Sequence, residues 1–455
     1  DPTLRGRQLR GLAVHSPADL ARLCESLDLH SIFLALPNAT HQRRKEILEQ
    51  LRPLQIGVKV LPTMNQLLDG KGSYKALQEV QAADLLGRDE IAPDLSLLEK
   101  DIHGKTILVT GAGGSIGSEL CREILRQHPK KLILLEQHEH ALYQIERELR
   151  LQLMGTELVN YLSSVLEKTR IIELLQQHQV ETVYHAAGYK HVPLVEVNPL
   201  EGLRNNVLGT ESLLEACQSH LPQSFVLVST DKAVRPTNVM GSSKRMAELL
   251  VQDASRRWPE CRWTMVRFGN VLDSSGSVIP LFREQLNSGK PLTVTHPEVT
   301  RYFMSIGEAV RLVIQAGAMA QGGEVFLLDM GHPVKIAELA RQMIELSGYV
   351  PERDVPIQFT GLRPGEKLYE ELLIEPEQAE VTTHPRIFRS HEPLPETITI
   401  QAEIGVLKKA IAENDLETAL GVMRRLVPEY GPVEQTQLLQ AGPVLSQSVS
   451  SKLMN

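Results

Sequence analysis

Thr106-Ile107-Leu108-Val109-Thr110-Gly111-Ala112-Gly113-Gly114-Ser115-Ile116-Gly117 is an apolar run that breaks into glycines and then opens an amphipathic stretch, Ser115 to Arg126. Read as strand, turn and helix, it begins a βαβ unit with a phosphate-binding loop. Gly111 permits the tight turn, Gly114 lets the backbone approach a pyrophosphate, and Gly117 permits close helix-on-strand packing. The helix start at Ser115 and Ile116 offers unpaired N–H groups and a partial positive charge. Glu136 stands 19 positions after Gly117, at the end of the next apolar run. An acid there accepts hydrogen bonds from ribose hydroxyls and repels a 2′-phosphate. The pattern predicts a dinucleotide, NAD rather than NADP. The competing reading of Glu136 is an exposed strand-end acid.

Outward from this stretch the chain alternates strand and helix. Strands are predicted at 131–135, 181–184, 224–228 and 262–267, with helices at 139–153, 199–219 and from Ser242 onward. That order predicts a parallel sheet covered by helices on both faces. The GxxGxxG spacing points to the short-chain dehydrogenase style of this fold. Ala186 and Ala187, after the 181–184 strand, are small enough for the nicotinamide half of a cofactor to lie against them. Lys190 and His191 follow, positioned to face a sugar or a phosphate; His191 alone reads as structural.

The predicted organisation is a Rossmann-like α/β fold, a doubly wound parallel sheet, over 105–270. A smaller α+β substrate-binding part with C-terminal helices spans 271–430. Residues 1–86 read as a partial α/β domain, either nucleotide-binding-like or a spacer or dimerisation unit. Residues 87–104 read as a linker and 431–455 as a disordered tail. The chain opens at Asp1 rather than Met, as if cut from something longer. The net charge of −8 gives no support to nucleic-acid binding. Cys24, Cys121, Cys217 and Cys261 lack the spacing of a disulfide framework or a zinc site, so no metal is expected.

The chemistry is predicted at Val228-Ser229-Thr230-Asp231-Lys232, the end of a strand, and at Val239-Met240-Gly241-Ser242-Ser243-Lys244. Strand ends at the carboxyl edge of such a sheet are where ligands bind. Short-chain dehydrogenases use Tyr-x-x-x-Lys with a Ser or Thr on the preceding strand. Lys244 and Thr230 stand in the lysine and hydroxyl positions, but the tyrosine position is Met240, and a thioether carries no proton. Either the site is silent or Asp231 and Lys232 do the proton work; a plain ion pair at the strand end is the bland alternative.

Thr110 to Leu120, Tyr189 to Leu194, Ser229 to Gly241, Val266 to Leu272, Gly276 to Pro280, Thr300 to Met304 and Gly361 to Lys367 occur in one colinear order. Together they resemble the UDP-N-acetylglucosamine 4,6-dehydratases of bacterial polysaccharide and glycan synthesis, in the extended short-chain dehydrogenase superfamily. Met240 matches the large membrane-anchored members; Ser163 to Glu167 departs from them, lacking a carboxylate expected near adenine. The resemblance implies NAD, a UDP-sugar, a homo-oligomer, and attachment to the bacterial inner membrane through a preceding segment, with the catalytic part in the cytoplasm. It implies Lys232 as the C5 base, Asp231 as the acid for the departing 6-hydroxyl, Thr230 on the 4-oxygen and Lys244 on the nicotinamide ribose. Lys190, Asn270, Arg283, Thr295, Arg301, Arg363 and Glu366 are the substrate candidates it carries. Glu366 is alternatively a first-turn acid of a helix after Pro364. Lys244 and the nicotinamide cation are expected to lower the pKa of Lys232, and that of Asp231 with it. A nucleotide-sugar epimerase and a silent NAD-binding scaffold are the rival functions.

Overall fold

The structure, a computed structural model, describes residues 2–27, 29–36, 38–61, 78–371 and 379–431. The chain divides into two compact units. The smaller comprises 1–89, 276–298 and 334–361; the larger comprises 90–275, 299–333 and 362–455.

The larger unit is built on a nine-stranded sheet. Its strands are β1 (Thr106–Thr110), β2 (Lys131–Glu136), β3 (Glu157–Leu162), β4 (Thr182–His185), β5 (Ser224–Val228), β6 (Arg262–Arg267), β7 (Val325–Leu328), β8 (Glu380–Val381) and β9 (Ile387–Ser390). Their order across the sheet is β3-β2-β1-β4-β5-β6-β7-β9-β8. The strands from β3 through β7 pair in parallel, and β9 and β8 add antiparallel edges. The 3-2-1-4-5-6 order is that of the Rossmann fold, which binds ligands at the carboxyl edge where the order reverses.

Strand side chains alternate between two hydrophobic layers, as a pleated strand requires. Leu108, Ile133, Val183, Phe225, Leu227 and Met265 face one layer. Ile107, Val109, Leu132, Tyr184, Val226 and Val266 face the other. With both faces covered, the strands read as continuous apolar runs.

Several expectations need correction. The stretch 87–104 is not an irregular linker: Leu95–Lys100 is a helix capped by Asp94, and Leu98 and Ile102 are buried in the sheet's second layer. Strand β3 and the helix Lys168–His178 were not read from sequence; β3 is an edge strand with mixed exposure, so its apolar signal is weak. The helix predicted over 199–219 is broken into Pro199–Leu203, a π-helical turn Arg204–Leu208, and Gly209–Cys217. Among the described residues no helix begins between Pro364 and Glu371, so Glu366 is not a first-turn acid.

Residues 1–86 are likewise not a unit alone. They share the smaller unit with two excursions from the predicted substrate part. Its sheet pairs Ser31–Leu34 in parallel with Gly57–Val60, flanked by Gln78–Glu79. Arg52 donates to Glu338 at 2.8 Å and Glu345 at 2.6 Å, tying the N-terminal segment to the helix Ile336–Leu346. Contacts so distant in sequence leave no local pattern. Residues 432–455, expected to be disordered, lie outside the described residues. No helix among the described residues is long and apolar enough to cross a membrane.

Behind the carboxyl edge sits an ionic cluster whose side chains are at most 4% exposed. Arg267, at the end of β6, donates to Glu248 at 2.7 and 2.5 Å and to Glu392. Arg245 lies 3.2 Å from Glu248 and 2.8 Å from Glu392. Ser229 donates to Glu248 at 2.6 Å. Removing one partner of such a cluster leaves a buried charge uncompensated. Glu248→Gln is therefore expected to destabilise the fold by about 3–5 kcal/mol, read as a lower urea midpoint; an unchanged midpoint contradicts the assignment.

Candidate active site

The glycine loop places a cofactor cleft at the carboxyl edge. Gly111 has φ +66°, and a Cβ there would meet Ala187 N at 2.7 Å. A Cβ on Gly117 would lie 1.9 Å from Gly111 O, so glycine is required for the helix Ser115–Arg126 to seat on β1. No side chain caps this helix at Gly114, and Gly114 is exposed. The first-turn N–H groups, from Ser115 and Ile116 onward, thus start a helix with no competing acceptor supplied by a cap. Ser115 Oγ also touches Ser275, accepting from its backbone N–H at 3.2 Å.

A cleft of about 250 Å³ follows, lined by Gly111, Gly114, Glu136, Ser163, Ala186 and Ala187, among others. Glu136 is 9% exposed. One carboxylate oxygen accepts from Gly113 N at 3.0 Å and the other from His138 N at 3.0 Å. It therefore shapes the loop as well as facing the cleft, and each oxygen retains a lone pair for a ribose hydroxyl. Ser163 and Val165 line the cleft where a carboxylate was expected.

A buried chain of hydrogen bonds holds Ala187 in place. Ala187 N donates to Thr110 Oγ1 at 3.3 Å, and Thr110 lies 2.7 Å from His185 Nδ1. His185 Nε2 lies 2.9 Å from Thr210 Oγ1, which donates to Asn206 O at 2.7 Å. Thr210 has a single proton, already given to Asn206, so Nε2 carries the imidazole proton and Nδ1 accepts from Thr110. Burial, then Lys244, push the His185 pKa down from 6.5 to about 3, which keeps the ring neutral.

The predicted catalytic residues converge at the ends of β5 and β6. Asp231 is fully buried. Its Oδ1 accepts from Thr230 Oγ1 at 2.9 Å and from Lys232 Nζ at 3.0 Å. Lys232 Nζ also donates to Asn270 Oδ1 at 3.2 Å. Lys244, on the helix Val239–Arg257, donates from Nζ to Val228 O at 2.7 Å. Burial lowers its pKa to about 8, against the pull of Glu248. Met240 is 2% exposed and belongs to the hydrophobic layer, so its side chain packs and does not face chemistry.

One residue escaped the sequence reading. Glu370 is buried, with Oε1 3.6 Å from Lys232 Nζ and 3.8 Å from Arg301 Nε. It stands three positions past the Gly361–Lys367 motif, and a buried acid in a run of acids, Glu366, Glu370 and Glu371, carries no distinguishing signal.

The electrostatics differ from expectation. Burial raises the Asp231 pKa and outweighs the pull of Lys232; the expected lowering does not occur. Burial acts to lower Lys232, but the Asp231 and Glu370 carboxylates overcome it, so the lysine rises instead. The cation that opposes this is Arg301, not Lys244. Burial acts to raise Glu370, and Lys232, Arg301 and Lys367 overcome it, so Glu370 is held low.

The substrate candidates divide. Asn270 reaches the centre through Lys232. Arg301 is 9% exposed and donates to Glu366 Oε1 at 2.9 Å and to the carbonyls of Thr300 and Leu368. Glu366 also accepts from Arg363 N at 3.2 Å. Arg363 and Lys190 are exposed. Arg283 and Thr295 belong to the smaller unit, where Arg283 lines a cleft of about 300 Å³ with Lys59 and Glu79. The Gly365 motif docks on the loop after Lys232: Gly365 O accepts from Thr237 and Asn238, and Lys367 Nζ donates to Val234 O at 2.9 Å. Among the described residues, no group of three or more His, Cys, Asp or Glu side chains is arranged to hold a metal ion.

A sequence profile of the polysaccharide biosynthesis protein family matches residues 107–392. The chain belongs to this family. The capsular polysaccharide biosynthesis protein CapD of Staphylococcus aureus is 47% identical over 373 residues, 82% of this chain. The chain spans only 62% of that relative's length. A UDP-glucose 4-epimerase of Rickettsia prowazekii is 35% identical over 281 residues, 60% of this chain and 79% of that protein. Among solved structures, Pen from Bacillus thuringiensis is 32% identical with a TM-score of 0.59, covering 65% of this chain and 92% of its own.

Two measurements check the cleft. Glu136→Ala, which also releases Gly113 N, is expected to weaken NADH binding by about tenfold or more, with a smaller loss for NADPH; equal losses contradict the cofactor role. For His185 the folded pKa lies below the unfolded value, so the unfolded chain takes the proton first. Stability is then expected to fall by up to about 1.4 kcal/mol per pH unit from pH 6.5 toward about pH 3, and His185→Asn is expected to flatten that slope.

Proposed function

We propose that the chain is the catalytic portion of an NAD-dependent UDP-N-acetylglucosamine 4,6-dehydratase, a hydro-lyase that makes a 4-keto-6-deoxy sugar nucleotide for surface polysaccharide or glycan synthesis. The observation that carries this is the Thr230–Asp231–Lys232 centre, with Asp231 buried, beside a Met240 that packs away from it. Oxidation at C4 alone needs one proton acceptor; expelling water from C5 and C6 also needs a C5 base and an acid for the departing hydroxyl. Asp231 and Lys232 supply those two roles within 3.0 Å of each other. The name of the staphylococcal relative supports the polysaccharide-synthesis part of this reading, and the resemblance to the large membrane-anchored dehydratases supports its chemistry.

The cleft residues fit NAD: Glu136 suits unphosphorylated ribose, and the uncapped helix at Ser115 suits a pyrophosphate. Bound there, NAD supplies the hydride acceptor for C4 and the donor for C6. Lys244 holds the nicotinamide ribose. Thr230 hydrogen-bonds the 4-oxygen, and its 2.9 Å contact gives the O4 proton a route to Asp231. Asp231, whose burial favours the protonated form, passes that proton to the departing 6-hydroxyl and ends as the carboxylate it began as. Lys232 enters uncharged, takes the C5 proton and returns a proton to C5. The centre thus closes its own proton balance. Lys232 is held protonated at rest, so substrate and cofactor must enter with it deprotonated, and kcat/KM is expected to rise with pH on a limb set by this lysine. Asn270, Arg301 and Arg363 are our candidates for the substrate side.

A nucleotide-sugar epimerase is the second reading, favoured by the rickettsial relative's name. It leaves the acid role of Asp231 without use. The test is incubation of the chain with UDP-N-acetylglucosamine followed by mass spectrometry. A product lighter by one water supports the dehydratase; an isomer of unchanged mass supports the epimerase and rejects our reading. Lys232→Met is expected to cut water loss by about 10²- to 10⁴-fold while the nicotinamide is still reduced.

A further inference from the structure

The Lys232 ammonium lies between two carboxylates, and the proton transfers described use only Asp231. Asp231 Oδ1 is 3.0 Å from Nζ and Glu370 Oε1 is 3.6 Å from it. Both acids are buried, and each has one oxygen, Asp231 Oδ2 and Glu370 Oε2, that is buried with no hydrogen-bond partner. Buried carboxylate oxygens left without donors are costly unless the site uses them. Glu370 is placed by its own segment: Lys367 is anchored on Val234 O, and Arg301 on Leu368 O. The result is a line of alternating charge, Glu366–Arg301–Glu370–Lys232–Asp231, with successive contacts of 2.9, 3.8, 3.6 and 3.0 Å.

We propose that Glu370 is a positioning residue for the C5 proton transfer: its carboxylate holds Lys232 Nζ in place and stabilises the ammonium that forms when the lysine takes the proton. This rests on the dehydratase reading for its chemistry, but not for its charge effect. In the step, the C5–H bond breaks, the N–H bond forms on Lys232, and the positive charge appears on Nζ, 3.6 Å from Glu370. A fixed anion there favours the charged product of the transfer over the neutral amine. Lys232, then Arg301 and Lys367, hold the Glu370 pKa low against burial. The groups acting on the centre are Asp231, Glu370 and Arg301 around Lys232, Lys367 and Arg301 around Glu370, and Tyr302, whose own pKa is raised by burial and then by Asp231. Glu370 pushes up both Lys232 and Asp231, so removing its charge moves both down.

The test uses the full chain with Glu370→Gln, which keeps shape without charge, and Glu370→Asp, which keeps charge. The first readout needs no turnover: the Lys232 pKa, followed by NMR of ¹³Cε-labelled lysine and assigned with Lys232→Met. Glu370→Gln is expected to lower it by about one unit or more, with Glu370→Asp nearer wild type. An unchanged Lys232 titration in Glu370→Gln overturns the proposal, whatever the substrate proves to be. The second readout is turnover of UDP-N-acetylglucosamine in D₂O. Deuterium entry at C5 is expected to slow by about 10- to 100-fold in Glu370→Gln while nicotinamide reduction is maintained, and the pH–rate profile to move to lower pH. Equal slowing of both steps by Gln and Asp, with no movement of the profile, marks a merely structural residue and overturns the proposal. Absence of water loss in the wild type rejects the dehydratase reading and leaves the lysine titration to decide the charge effect.

Discussion

The site depends on a buried ionic cluster that does no chemistry. The side chains of Arg267, Glu248, Glu392 and Arg245 are each at most 4% exposed. They join the end of β6, the helix Val239–Arg257 and the segment after β9. Ser229, bonded to Glu248, is the residue before Thr230. Charges in such a place are expensive to desolvate and are held only by mutual pairing. Their placement fixes where β5 ends and how the helix bearing Lys244 approaches it.

The neighbouring centre sets two acids against one lysine. Lys232 has two carboxylates against it, and Arg301 supplies the nearest opposing cation. Burial raises Asp231 while cations hold Glu370 low. Two acids in one pocket are thereby driven in opposite directions, the condition under which an acid and its fixed counter-charge can coexist near neutral pH. Met at position 240 fits the proposed dehydratase reading: with Thr230 bonded to Asp231, that reading gives the 4-hydroxyl another route for its proton.

Much of this was legible in the sequence because it is local. The strand–glycine–helix signal located β1 and the helix start at Ser115 to the residue, and the apolar runs located β2, β5 and β6. Thr230, Asp231 and Lys232 are adjacent, so a strand end sufficed to bring them together. The failures are non-local. Edge strand β3 carries no strong alternation. The π-helical turn at Arg204–Leu208 places Asn206, which clamps Tyr189 through N–H and C=O, and helical periodicity does not reveal a single-turn change of winding. Glu370 is 138 residues from Lys232 along the chain, so only folding pairs them. The pKa directions differ from expectation for the same reason: Lys244 is close to Lys232 in sequence, but the charges acting on Lys232 are Asp231 and Glu370, which raise it, and Arg301, which opposes them.

The central claim is that the hydride removed from one carbon returns to another. The most direct measurement uses UDP-N-acetylglucosamine bearing deuterium at C4, incubated with the chain and NAD and examined by NMR. The account predicts loss of water and deuterium in the new C6 methyl group. Deuterium recovered at C4, on a sugar of either configuration there and with its 6-hydroxyl intact, would contradict it.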